Sequence, residues 1–408
     1  MEVVVEHCAG IDVHQAQLTV CVRRPGAGRG RVQEIEAFGT TTPDLLALAD
    51  WLAERAITQV AMEGTGVYWK PVYYVLEQQF ELWLVNAQHV KNVPGRKTDT
   101  KDAAWLCQLL EHGLLRKSFV PPREIRELRD LTRYRKALVR DRVSEVNRLH
   151  KVLEDAGVKL SSVASDILGV SGRLILDALV AGESDPEVLA EQAKARLRAK
   201  LPALRKALDA RFRAHHGVLV RGILDHIDYL EAAIATLGQH IAVLLEPHHE
   251  LVELLVTIPG IERRTAEVVL AEIGTDMTRF PSGRHLASWA GLAPGNNESA
   301  GRRKSGRTTK GSAWLRAALI ESALASTRHY GFLRSKYLRI RRRRGHQRAV
   351  VAVAHTILEI IHQLLTTGSS YSELGPDYLD KRSRDRQARL AIRLLEELGH
   401  TITPPAAA

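Results

Sequence analysis

The feature that most restricts how this chain can fold is a change of period near residue 121. Before it, short apolar runs alternate with helical stretches; from "PPREIRELRD" onward the apolar residues recur at threes and fours. Leu128, Leu131, Leu138, Val139, Val143, Val146, Leu149 and Leu153 trace a single seam, that of a coiled coil or of one arm of a long helical hairpin. A helix with one apolar stripe has to bury it against something. The run "HHGVLVRGILDHIDYLEAAIATLGQHIAVLL", residues 215 to 245, has the same character and is the expected antiparallel partner. Residues 123–250 are therefore read as a coiled-coil segment, with 157–210 as a small helical insertion.

Residues 1–122 read as an α/β domain with a mixed sheet. "HCAGIDVHQAQLTVCVRR" and "RVQEIEAFGT" are rich in β-branched residues and alternate with period two. "TTPDLLALADWLAERA" then starts as a helix should, with a Thr cap and an early Pro. "ITQVAMEG" and "ELWLVNAQ" are short apolar strands separated by the helical "VYWKPVYYVLEQQ". On the other side of the helical segment, 251–333 opens with "ELLVTIPGIERRTAEVVLAEIG", two short helices about "IPGI", the pattern of a helix-hairpin-helix. A turn at Gly260 would offer backbone N–H groups to a DNA phosphate, or would simply join two helices. The remainder, 334–408, is a basic helical extension whose stretch 334–348 holds eight Lys/Arg and no acid, followed by a polar tail.

At 408 residues the chain is long enough for two to four domains. Its 58 Lys and Arg against 47 acids leave a net charge of +11, which favours a polyanionic partner such as nucleic acid. Three scattered cysteines offer no disulfide framework, which points to the cytoplasm. The N-terminus has no signal-like core and no uninterrupted run of about 18 apolar residues occurs, so no membrane span is expected. Paired histidines at 215 and 248 lack the spaced partners of a zinc site and read as solvated helix ends.

Two constellations carry chemistry. Asp12 in "GIDVH" and Glu63 in "AMEGTG" lie where neighbouring strands bring side chains to one sheet edge. Asp99 and Asp102, in "KTDTKDAAWL", stand at i and i+3, with Cβ atoms about 5–6 Å apart on one helix face. Each has an ordinary role open to it as a cap, a strand end or a favourable charge at a helix start. Four converging carboxylates, however, stay ionised only with compensation, and Mg²⁺ supplies it through oxygen ligands. Such ions can activate an attacking oxygen and stabilise a leaving one in phosphoryl transfer.

The second constellation is "LAPGNNESAGRRKSGRTTKGSAWLR". Gly295, Gly301, Gly306 and Gly311 make a flexible loop, and Arg302, Arg303, Lys304, Arg307 and Lys310 give it a positive charge suited to a phosphodiester. Ser299 and Ser305 are its hydroxyls, either as nucleophile or as hydrogen-bond donors to phosphate.

Taken in order, "GIDVH", "AMEGTG", "KTDTKDA", "IPGIERRTAEVVLAEIG" and the serine loop resemble the D-E-D-D motifs and the serine-bearing second domain of transposases of the insertion sequence 110 family, over about residues 8 to 330. The resemblance implies a RuvC-like N-terminal domain of ribonuclease H architecture, a coiled-coil linker used in oligomerisation and a mainly helical C-terminal recombination domain. It implies that Asp12, Glu63, Asp99 and Asp102 coordinate Mg²⁺ and that a serine forms a covalent link to DNA. It also implies tetramers guided by a bridge RNA that pairs with donor and target. "ESAG" places the serine at Ser299, although Ala300 stands where other members often have Ser or Thr; Ser305 in "KSG" remains the second candidate. The competing expectation is a RuvC-like, metal-dependent, structure-specific endonuclease. Beyond about 335 no family motif carries over.

Overall fold

The computed structural model describes residues 2–26, 30–64, 66–86, 102–295, 297–299, 302–308 and 310–398, with backbone alone for 297–299 and 302–305. The chain divides into two compact units, Met1–Val120 and Pro121–Ala408.

The first unit is built on a five-stranded sheet. Its strands are β1 (Cys8–Val13), β2 (Gln17–Pro25), β3 (Arg31–Gly39), β4 (Gln59–Glu63) and β5 (Glu81–Val85), in the order β3-β2-β1-β4-β5. β1, β2 and β3 pair antiparallel, whereas β1, β4 and β5 run parallel, which makes the expected mixed sheet. Alternation assigns the two faces. Ala9, Ile11 and Val13 join Val60 and Met62 in a core with helices α1 (Thr42–Glu54) and α2 (Trp69–Leu76). Cys8 and Ala61 face the other way and pack on α3 (Asp102–Glu111).

In the second unit α4 (Arg123–Asp155) and α9 (Ala214–Leu245) form an antiparallel pair. The direction follows from its cross-links: Asp155 with His216, Glu145 with His226, Arg142 with Glu231, and Leu138 packed on Leu230 and Ile234. Between them, α5–α8 (Leu160–Val163, Val170–Val180, Pro186–Glu191, Leu201–Leu208) bury a separate core that includes Leu149, Leu176, Leu204 and Leu224. The insertion that sequence left blank is thus a small helical cap on the distal half of the hairpin.

The rest of the unit packs on the near half. It comprises α10 (His249–Val256), α11 (Arg263–Ile273), α12 (Gly283–Trp289), the two-stranded β6 (Asn297–Ser299) and β7 (Arg302–Ser305), α13 (Ala313–Ser326), α14 (Phe332–Arg344), α15 (His346–Thr367) and α16 (Tyr378–Glu397). The expected segments 123–250, 251–333 and 334–408 all lie within this one unit. The arginine run closes α14: Arg341 to Arg344 occupy its last turn, where positive charge is favoured by the helix dipole. α15 departs from the expectation that nothing is long and apolar enough to cross a bilayer, with a mean hydropathy of 1.6 over an 18-residue window. Half of that window is buried, with Val353, Ala354, Ile357 and Ile361 fully enclosed, as in the core helix of a globular unit.

Candidate nucleic-acid processing site

Strand register brings two of the predicted carboxylates together. β1 and β4 pair in parallel with Gly10 opposite Ala61 and Ile11 opposite Met62. Carried one residue further, the same offset sets Asp12 beside Glu63, on the face that turns away from the α1–α2 core. α3 lies across that face, and the contact that seats it is Gly10. A Cβ on Gly10 would stand 2.3 Å from the Ala103 carbonyl oxygen and 2.5 Å from the Cys107 nitrogen, so only glycine admits the helix backbone this closely. Asp102, the first residue of α3, immediately precedes that contact. Asp12, Glu63 and Asp102 are each half-buried, while Asp99 lies outside the described residues.

Several groups fix this arrangement that sequence reasoning missed. His14 places its Nε2 3.2 Å from Asp12 Oδ2. At the far end of α3, Glu111 is fully buried and takes Arg23 at 2.9 Å and Arg31 at 2.6 Å, which ties the helix to β2 and β3. Between the sheet and α3 the Cys8 and Cys107 sulfurs are 3.6 Å apart and buried. Hydrogen bonding with Cys21 and Cys8, together with burial, pushes the Cys107 thiol up, so it stays protonated and acts as apolar packing.

The donor set is oxygen only, which suits a hard divalent ion. Among the described residues, the group of three whose ligand atoms lie within 4.8 Å of one another is elsewhere, at Asp155, His215 and His216. His216 corrects the expectation of a solvated helix end. It is buried, its Nδ1 accepts the Arg213 backbone N–H at 3.1 Å, and its Nε2 is 3.1 Å from Asp155 Oδ2. With Nδ1 as acceptor the proton sits on Nε2 and donates to Asp155, which makes this a helix-start hydrogen bond rather than a metal ligand.

The described part of the serine loop contains two short strands. β6 and β7 form a hairpin in which Ser299 pairs with Arg302 beside the turn and Ser305 pairs with Asn297 nearer the stem. The backbone therefore separates the two candidate serines. Below the strands, Gly295 donates its N–H to the Arg307 carbonyl at 2.8 Å, and Pro294 bridges to Thr308. Arg316 of α13 clasps both sides of the stem, reaching Thr308 Oγ1 at 2.8 Å and the Gly291 carbonyl at 3.3 Å. Gly311 serves close packing and not phosphate access, since a Cβ there would fall 2.3 Å from the Ala290 carbonyl carbon.

Next to the stem, Ser312 caps α13 and donates to Glu272 Oε2 at 2.8 Å. The Glu272 carboxylate is buried and receives the Arg133 guanidinium at 2.7 and 2.9 Å. Arg129 caps the end of the same helix through the Ala271 and Glu272 carbonyls. The hairpin is thus anchored through α13 and α11 to α4. Arg307 and Lys310 are exposed on either side of the stem, and Arg302, Arg303 and Lys304 lie along β7.

Gly260 has φ +88°, and a Cβ on it would meet the Ser322 carbonyl oxygen of α13 at 2.4 Å. The glycine is required there by packing against α13, a reason independent of any phosphate.

Two family models match the chain. One, described as a DEDD transposase model of the IS110 type, covers residues 9–157, and the other, described as the transposase IS116/IS110/IS902 family, covers 252–338. The chain is similar to the transposase for insertion sequence element IS1111A of Coxiella burnetii, with 25% identity over 294 residues, 71% of this chain and 72% of that one. It is 32% identical to an insertion element IS110 protein of Streptomyces coelicolor over 162 residues, 39% of each. A pilin gene-inverting protein of Moraxella bovis matches at 41% over 78 residues, 18% of this chain and 24% of the relative.

Proposed function

The chain belongs to the IS110 family of transposases, and from that premise we propose that it cuts and rejoins DNA through a phosphoserine intermediate on Ser299, assisted by Asp12, Glu63, Asp99 and Asp102. The observation that supports the reading is the parallel pairing of β1 and β4, whose register, continued by one residue, would bring Asp12 next to Glu63 on the face that packs on α3. The sheet order, with one antiparallel and one parallel half, supports the ribonuclease H architecture expected of the first unit.

In the proposed chemistry Ser299 Oγ attacks a backbone phosphorus. A serine–phosphate bond forms, a strand P–O bond breaks, and the departing oxygen leaves as a hydroxyl end. A hydroxyl of the joining strand then attacks the phosphoserine, restoring the phosphodiester and freeing the serine. Ser299 is preferred to Ser305 because the resemblance falls on "ESAG", and the two lie at different positions along the strand pair. Arg302 opposite it, with Arg303 and Lys304, supplies positive charge for the phosphate. Mg²⁺ held by the carboxylates would supply Lewis-acid stabilisation of charge on the reacting oxygens. His14 orients Asp12 from outside that set. Arg307, Lys310 and the hairpin at Gly260 would grip phosphates without reading bases. Base choice would then fall to a bridge RNA pairing with both DNAs, in an assembly of four copies.

A suicide DNA substrate tests this. Wild type and Ser305→Ala should both accumulate a protein–DNA adduct in Mg²⁺, while Ser299→Ala should form none. Free ends in place of adducts would instead identify a RuvC-like endonuclease working with water.

A further inference from the structure

A groove of about 240 Å³ lies between α4, α11 and α13 of the second unit, and none of its lining residues belongs to the proposed catalytic set. It is smaller than the roughly 300–1,000 Å³ pockets that enclose drug-sized ligands, so it suits one small planar unit. Val139, Val268 and Ala317 give it apolar walls, and the half-buried Trp314 stands in it. The Arg140 guanidinium lies over the Trp314 ring, 4.9 Å from its centroid.

The cations here divide into two sets. Arg135 and Arg133 are committed to the buried carboxylates of Glu267 and Glu272, and Lys136 to Glu321. Arg140 and Arg264 are exposed and, among the described residues, neither has an ion pair. The structure spends two acids holding the inner arginines and leaves the outer two charged and open. An aromatic face layered with a guanidinium, beside a second uncommitted guanidinium, is the arrangement that accepts a base and its phosphate together. A base within a duplex is stacked on both sides and cannot enter, so the ligand has to be unpaired.

We propose that this groove binds an unpaired nucleotide of a single strand, its base against Trp314 and its phosphate on Arg140 and Arg264. The proposal rests on the nucleic-acid reading above, though not on the identity of the nucleophile. Binding would fasten a strand to the near half of α4, the helix that also carries the anchor of the serine hairpin through Glu272.

The test is fluorescence anisotropy of the full chain with labelled DNA and RNA oligonucleotides of one sequence and with the DNA duplex. Trp314→Ala should weaken binding of single strands about tenfold and leave the duplex unchanged, with Trp314→Phe retaining most of the affinity. Whichever of DNA or RNA loses more identifies the strand. Arg264→Ala, at an exposed position with no packing role, should lower the salt slope by about 1. Photocrosslinking with 5-iodouracil oligonucleotides should mark the peptide that contains Trp314. Unchanged single-strand binding in both variants, equal losses on duplex and single strand, or crosslinks confined elsewhere would overturn the proposal. Failure of wild type to bind any nucleic acid would instead sink the recombination reading itself.

Discussion

The carboxylate face and the serine hairpin are built by opposite means. Asp12 and Glu63 sit on neighbouring strands of a five-stranded sheet, and α3 is pinned over them at Gly10 and again at Glu111. The hairpin is two strands of three and four residues, and among the described residues its stem is held by Arg316, Gly311 and Ser312. If the acids share one ion, as proposed, sheet register is what would give them a fixed spacing. The stem, by contrast, is clasped by the side chain of Arg316, and the serine proposed to meet a phosphodiester lies on the strand beyond it. On the proposed reading, the groups that act together lie on a five-stranded sheet and the group that acts alone lies on a two-stranded hairpin.

Substitutions can break or sharpen this contrast. The largest effect is expected at the acids: Asp12→Asn or Glu63→Gln should lower strand joining by at least ~100-fold, beyond the 10–100-fold typical of groups behind a metal ligand, with the unfolding curve unmoved. Activity that persisted across a Mg²⁺ titration in these variants would dissolve the carboxylate half of the comparison. Next comes Gly10→Ala, which drives a methyl into the α3 backbone and should cost up to about 3 kcal/mol in urea unfolding, with activity falling in parallel. Smaller again, Arg316→Ala should cost about 1.5 kcal/mol through its lost hydrogen bonds, yet reduce adduct yield more than stability. If adduct yield tracked stability in Arg316→Ala as in Gly10→Ala, the two sites would not differ in the way the structure suggests.

Local pattern made some of this legible. Short apolar strands put Asp12 and Glu63 where neighbouring strands meet at one sheet edge, and the threes and fours of α4 and α9 identified two helices in need of partners. The basic character of the serine loop was equally plain from composition. In the sequence Gly311 reads as loop flexibility, Gly260 stays open between two roles and Gly10 draws no reading, because glycine signals both flexibility and close approach and only a neighbour distinguishes them. Gly10 faces Ala103, Gly260 faces Ser322 and Gly311 faces Ala290. The partners that hold the sites were invisible for a related reason: Arg31 finds Glu111 across 80 residues and Arg129 finds the Glu272 carbonyl across 143.

The sequence by itself determined which residues carry carboxylate and hydroxyl oxygens, most of the strand and helix segments, and the net positive charge, since each depends on side-chain chemistry or on contacts a few residues apart. The tertiary structure alone decided which carboxylates share a face, which serine lies at the turn and which arginines remain uncommitted. Those outcomes depend on register, on helix seating and on ion pairs between distant segments, and no local pattern encodes the position of a partner that lies a hundred residues away.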